Sequence, residues 1–353
     1  MNKTTREIVK KSARKKTKTV NLALQGGGSH GAFSWGVLDM LLEDGRIEIE
    51  AISGTSAGAM NAVVLADGLA RNGKEGAREA LESFWLAVHK AAQGSPLQRS
   101  PWDILAGNWN LDYSPAYVFF DILSRIASPY DLNPLNINPL RTLLNEQVDF
   151  SRVRNCNEVK LFISATQVRS GKIKVFDHSE LSVDSVMASA CIPFVFQAIN
   201  IDGEDYWDGA FMGNPALFPF INHCRSKDIV IVQINPMQRE KTPTTARDIL
   251  DRVNEITFNA SLLKEFRAID FVTRLLDTGS LQESQYKRLF VHIIEADQLL
   301  EPLGASSKLN AEWSFLQHLR EIGRNQAEHW LADNFNNLGK KSTIDLRSLY
   351  HSN

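Results

Sequence analysis

Apolar positions along this chain switch repeatedly between two periods, and each switch marks the hand-over from one element to the next. Val20-Asn21-Leu22-Ala23-Leu24 and Ile47-Glu48-Ile49-Glu50-Ala51-Ile52-Ser53 read as β-strands. Between them Phe33, Val37, Leu38 and Leu41 recur at helical spacing, and Glu43-Asp44-Gly45 ends the run. After the second strand, Met60, Val63 and Val64 predict a helix over 57–70. A buried strand at 158–166, its hairpin partner at 171–176, a small-residue helix at 181–190 and an unbroken Ile/Val strand at 228–234 follow. Past Asn235-Pro236, the positions Ile249, Val253, Ile256, Ala260 and Leu263 predict the packing face of a long helix. A strand at 288–295 and a helix over 309–335 complete the pattern, the latter with Leu309, Trp313, Leu316, Leu319 and Ile322 inward. Strands that lead into helices imply right-handed crossovers and parallel pairing. The expected fold is α/β: a three-layer α/β/α core around a mainly parallel sheet over 19–236, with a mainly helical extension at 237–353 packed on it.

Residues 93–139 break this rhythm. Six prolines are interspersed with Trp102, Trp109, Tyr113, Tyr117, Phe119, Phe120 and Tyr130. This is too aromatic for a linker and reads as an irregular insertion around one amphipathic helix at 115–126, near the substrate entrance. It suits a lid or acyl-chain contact as well as a packed connection.

Composition narrows the class. A hydrophobic fraction of 43 % over 353 residues is that of a globular chain with a sizeable core. Cys156, Cys191 and Cys224 show neither paired nor metal-ligand spacing, so they read as buried thiols of a reducing, cytoplasmic compartment. No zinc, EF-hand or Walker pattern occurs, so no metal or cofactor is implied. Neither an 18-residue apolar run nor a secretory h-region is present. Residues 1–18 hold eight cations against Glu7, a net +7, which leaves −9 on the remainder of a chain whose net charge is −2. Such a tail reads as disordered and basic, able to make peripheral contact with an anionic membrane. A nucleic-acid partner is not expected, and oligomeric state is not legible.

The chemistry lies in two turns where strands hand over to helices. Gly26-Gly27-Gly28-Ser29-His30-Gly31 exposes successive backbone N–H groups, which suit an oxyanion. It also matches a dinucleotide fingerprint, which asks for an acidic ribose ligand about 20 residues on, near Asp44 or Glu48. Gly54-Thr55-Ser56-Ala57-Gly58 is a G-x-S-x-G elbow. Its small flanks let the chain bend so sharply that Ser56 is exposed at a helix start, where the dipole favours developing negative charge. Together the turns suggest acyl transfer, most simply ester hydrolysis. A base is required, and pattern alone cannot choose it among 41 acidic residues. Asp208-Gly209-Ala210 is by itself an ordinary turn.

In company, however, these motifs resemble the patatin-like phospholipase family, which has a G-G-G-x-x-G turn, a G-x-S-x-G elbow and a D-G-A or D-G-G turn in this order. The resemblance covers about 22–221 and includes Met187-Ala188-Ser189-Ala190-Cys191-Ile192-Pro193-Phe194-Val195-Phe196. It implies a Ser–Asp dyad, with Ser56 as nucleophile and Asp208 as proton acceptor. Gly26, Gly27 and Gly28 would form the oxyanion hole, and Gly31, Gly54, Gly58, Gly209 and Ala210 would support the motifs. The implied substrates are lipid acyl esters. Polyester oligomers, or transfer to an acceptor other than water, use the same chemistry. His30 departs from the Arg or Lys common in the family and leaves headgroup preference open. A Ser–His–acid triad built on His223 or His292 is the rival arrangement.

Overall fold

β1 (Lys18–Leu24) and β2 (Ile47–Gly54) run side by side and parallel in the computed structural model, which describes residues 16–351. Six further strands complete one sheet: β3 (Lys160–Gln167), β4 (Ile173–Asp177), β5 (Ile199–Ile201), β6 (Glu204–Asp208), β7 (Asp228–Val232) and β8 (Phe290–Ile294). The order is β5-β6-β3-β2-β1-β7-β8, with β4 also pairing β3. The pairs β3–β2–β1–β7–β8 are parallel, whereas β4, β5 and β6 pair antiparallel. The last parallel strand, β8, comes from beyond residue 236, so the extension contributes an edge strand as well as helices. Alternation along β1 feeds two cores. Val20, Leu22 and Leu24 face one, and Ala23 with Ile229, Ile231 and Val291 faces the other, giving helices on both sides of the sheet.

The main helices are α1 (Gly31–Asp44), α2 (Ala57–Ala92), α3 (Pro115–Ile126), α4 (Val183–Ser189), α5 (Ala246–Asp277) and α6 (Trp313–Asn334). The helix expected over 57–70 is the first arm of α2, which breaks at Asn72 and Gly73. α1 is apolar nearly all round because α6 covers its outer side. The two backbones cross so closely that a side chain on Gly323 would reach within 2.1 Å of the Phe33 carbonyl oxygen. Buried Asp39 on α1 accepts from Arg78 of α2 at 2.7 Å and Arg320 of α6 at 2.8 Å, and also pairs with Arg324. Burial would raise its pKa, but the arginines hold the carboxyl below the usual range. Asp39→Asn removes the anion shared by three guanidinium groups, of which Arg78 and Arg324 keep Glu43, and is expected to cost about 3 kcal/mol of unfolding free energy in urea titration.

Two expectations change. Residues 93–139 are not irregular: besides α3 they contain helices Pro101–Leu105 and Pro129–Leu132, with Pro139–Gln147 starting at their end. Ser100, Ser114 and Ser128 stand at the N-caps, so each following proline begins a helix, where its missing N–H costs nothing. The long helix α5 exists, but its predicted face is turned outward in the first half. Ile249, Val253 and Ile256 are 45 %, 51 % and 54 % exposed, while Glu255 and Asn259 are buried. Polar partners below the helix decide the rotation: Arg239 and Arg252 pair with Glu255, and Asn259 donates to the Pro236 carbonyl. Most of the basic tail lies outside the described residues. Lys18 belongs to β1, and its ammonium donates to the Leu338 carbonyl at 2.8 Å. Among the described residues no helix is long and apolar enough to cross a membrane.

Candidate active site

Leu24 and Gly54 are register partners at the ends of β1 and β2, so both glycine-rich turns leave the same end of the sheet. Ser56 has φ 54, a left-handed conformation that an L-residue adopts only when its surroundings enforce it. The enforcing contacts are local. Gly58 N–H donates to the Thr55 carbonyl at 2.8 Å, and Ser56 N–H to Ser189 Oγ at 2.9 Å. Any side chain on Gly58 would lie 2.3 Å from the Leu24 carbonyl oxygen, and one on Gly54 would lie 2.7 Å from the Gly58 carbonyl oxygen. Ser56 thereby caps α2, whose positive dipole end lies under its hydroxyl.

Asp208 arrives along β3. Gly54 pairs with Ile163 and Asp208 with Ala165, while β4 overlaps both contacts by pairing 162–166. A residue has only two ladder edges, so β4 occupies one and β2 and β6 share the other, meeting end to end. The end of β6 therefore delivers Asp208 beside the elbow. Gly209 lies against the Ser164 carbonyl and the Thr55 methyl, and Thr55 Oγ1 donates to the Gly213 carbonyl at 2.7 Å. Asp208 is 4 % exposed and Ser56 8 %. Asp208 Oδ1 accepts from Ala210 N–H at 2.8 Å. Burial pushes the carboxyl up to about 7, while the Ala210 amide, the Ser56 hydroxyl and the Lys308 charge favour its ionised form. The Ser56 hydroxyl and the Asp208 carboxyl are therefore near enough to interact.

The glycine turn closes over the same spot. A side chain on Gly26 would fall 2.8 Å from Ser56 Cβ, and Gly31 lies against Ala57. The expectation that Gly26 offers an oxyanion donor needs correction, because its N–H is engaged by Asn214 Oδ1 at 2.8 Å. Gly27 and Gly28 amides find no acceptor among the described residues. Gln25 fixes the turn from below: its Oε1 accepts from Ile234 and Asn235 N–H, both at 2.9 Å, and its Nε2 donates to Asn259 Oδ1. Asn235 Nδ2 donates to the Gly26 carbonyl at 2.9 Å. His30 is buried, shares a hydrogen bond with Ser307 Oγ at 2.8 Å, and is driven down to about 3 by burial and by Lys308. It is a neutral structural residue, so its charge cannot set headgroup preference.

Neither rival arrangement assembles. His292 is bonded to Asp228 at the start of β7, and the carbonyl of His223 accepts from Lys160 at the start of β3. Both lie toward the opposite end of the sheet from Ser56. The dinucleotide reading fails likewise, since Asp44 holds Arg46 and Glu48 pairs with Lys74 at the start of β2. Sequence reasoning missed Gln25, Ser189, Asn214, Asn235, Asn259 and Lys308. The Asn214-Pro215 and Asn235-Pro236 dipeptides were the available signals; Asn259 and Lys308 gave none.

Fold and site define an α/β protein that presents a serine on a strand-to-helix elbow beneath a glycine-rich turn. The chain belongs to the patatin-like phospholipase family, whose model matches residues 22–221. Membership places it among lipid acyl hydrolases. Similar solved structures include VipD from Legionella pneumophila, at 16 % identity over 89 % of this chain and 67 % of that one, with a TM-score of 0.42. ExoU in its complex with SpcU, from the type III secretion system of Pseudomonas aeruginosa, is 15 % identical over 91 % of this chain and 52 % of that one, with a TM-score of 0.37. The chain thus spans about half the length of ExoU. No curated protein matches it.

Proposed function

We propose that this chain hydrolyses acyl esters of lipids, as a phospholipase A-type serine hydrolase working through a Ser56–Asp208 dyad. The observation that carries the reading is the end-to-end meeting of β2 and β6, with a strained Ser56 at one end and a buried carboxyl at the other. Asp208 takes the hydroxyl proton as Ser56 Oγ attacks the ester carbonyl carbon. The tetrahedral oxyanion is held by the Gly27 and Gly28 amides and the α2 dipole. It collapses with release of the alcohol, which receives the proton, and leaves an acyl-serine. Water, deprotonated by the same carboxylate, then frees the acid and restores the hydroxyl. A base with a pKa near 7 is matched to this duty at neutral pH. Trp102, Leu105, Phe119 and Ile126 of the 93–139 region leave apolar surface exposed, which suits an acyl substrate.

An alkyl fluorophosphonate is expected to label the folded protein stoichiometrically at Ser56, with loss of phospholipid hydrolysis in step with labelling. Failure of the folded chain to react would remove the dyad reading. Product analysis with added alcohol distinguishes hydrolysis from transfer.

A further inference from the structure

Lys308 brings to the site a positive charge that the mechanism above leaves unused. It sits in the short 3₁₀ segment Ala305–Leu309, outside the 22–221 region that defines the family. This segment is pinned over the glycine turn. Lys308 packs its own carbonyl onto Gly28, where an added side chain would come within 2.4 Å of that oxygen. Ser307 holds His30, Ser306 Oγ accepts from Leu111 N–H at 3.0 Å, and Ala305 N–H donates to Asp251 Oδ2 at 3.1 Å. The Lys308 ammonium donates to Asn235 Oδ1 at 2.8 Å, and Asn235 in turn holds the Gly26 carbonyl. One side chain is therefore tied to the turn by a single intermediary and acts on the base as well.

We propose that Lys308 is a positioning residue for the hydrolysis: it holds the oxyanion turn through Asn235, and its charge favours the ionised form of Asp208 and the oxyanion. The proposal rests on the Ser56–Asp208 reading. Charges near a buried carboxyl act strongly because little water screens them. The groups facing Lys308 are Glu255, Asp251 and Asp208, which favour its charge, and Arg239, which opposes it. His30 is neutral, and Glu255 is already matched by Arg239 and Arg252. Asp208 is faced by Ser56, the Ala210 amide, the Cys191 thiol and Lys308. Burial lowers the Lys308 pKa below the ordinary lysine range, against the carboxylates that favour its charge.

The test is the pH dependence of kcat and KM for full-length wild type, Lys308→Met and Lys308→Arg, by pH-stat titration on anionic and neutral phospholipid. Wild type should show an acid limb near pH 7, where Asp208 titrates. Lys308→Met should lose about tenfold or more in kcat with little change in KM, and its acid limb should move to higher pH as Asp208 loses a supporting charge. Lys308→Arg, which keeps both the charge and a donor for Asn235, should keep most of the rate. A Lys308→Met protein with wild-type kcat and profile overturns the proposal. If that variant does not fold, Lys308→Gln takes its place, and a wild-type kcat and profile there overturn the proposal equally. Ser56→Ala, run alongside, separates the two claims: residual activity there sinks the dyad reading, whatever Lys308 does.

Discussion

Ser56→Ala is expected to abolish lipid ester hydrolysis, lowering kcat by about 10⁴-fold or more, as removal of a nucleophile does in serine hydrolases. The change keeps Cβ, and Ser56 N–H still donates to Ser189 Oγ, so the elbow keeps its shape. Thermal unfolding should therefore stay within a few degrees of wild type, since only the interaction of the hydroxyl with Asp208 is lost. Phospholipid turnover and circular dichroism on one preparation check both halves. A well-folded Ser56→Ala protein that retains turnover would show that another group attacks the ester.

Asp208→Asn should come close to the same loss, about 10²- to 10⁴-fold in kcat, because the amide has the carboxylate's shape but cannot take a proton. Its Oδ1 can still accept from Ala210 N–H, so the turn geometry survives. The second signature is in the pH profile. Wild-type kcat/KM should fall as pH drops below about 7, because burial raises the Asp208 pKa and its protonated form cannot act as base. In Asp208→Asn that acid limb should vanish along with most of the rate. An acid limb that persists would assign the titrating base to another group.

The parallel core was legible because its strands are continuous apolar runs that lead straight into glycine turns. Ser56 was legible for the same reason: a strand, two small flanks and a helix are a local pattern. Asp208 could be chosen only in company with the other motifs, since its placement depends on β3 holding β2 and β6 on one edge. The β5–β6 hairpin was missed although Asp202-Gly203 carries it, with φ of 52 and 84 at the two turn positions. In 93–139 the short helices at 101–105 and 129–132 were missed, although Ser100-Pro101 and Ser128-Pro129 start them just as Ser114-Pro115 starts α3. For α5 the period was right and the phase wrong in its first half, because a polar pair, Glu255 and Asn259, is what the site needs below it. Lys308 had no local signal, since its partners Gly28 and Asn235 are brought to it only by tertiary packing.

The abutment of β2 and β6 on β3 has an evolutionary corollary. Gly54, two residues before Ser56, and Asp208 sit two rungs apart along β3, so ladder register and not the length of the loops between them sets their spacing. The 93–139 region can therefore change in length without moving that register, whereas a single residue inserted in β3 between Ile163 and Ala165 would shift Asp208 relative to Gly54. Substrate choice and chemistry can thus diversify independently in such a scaffold.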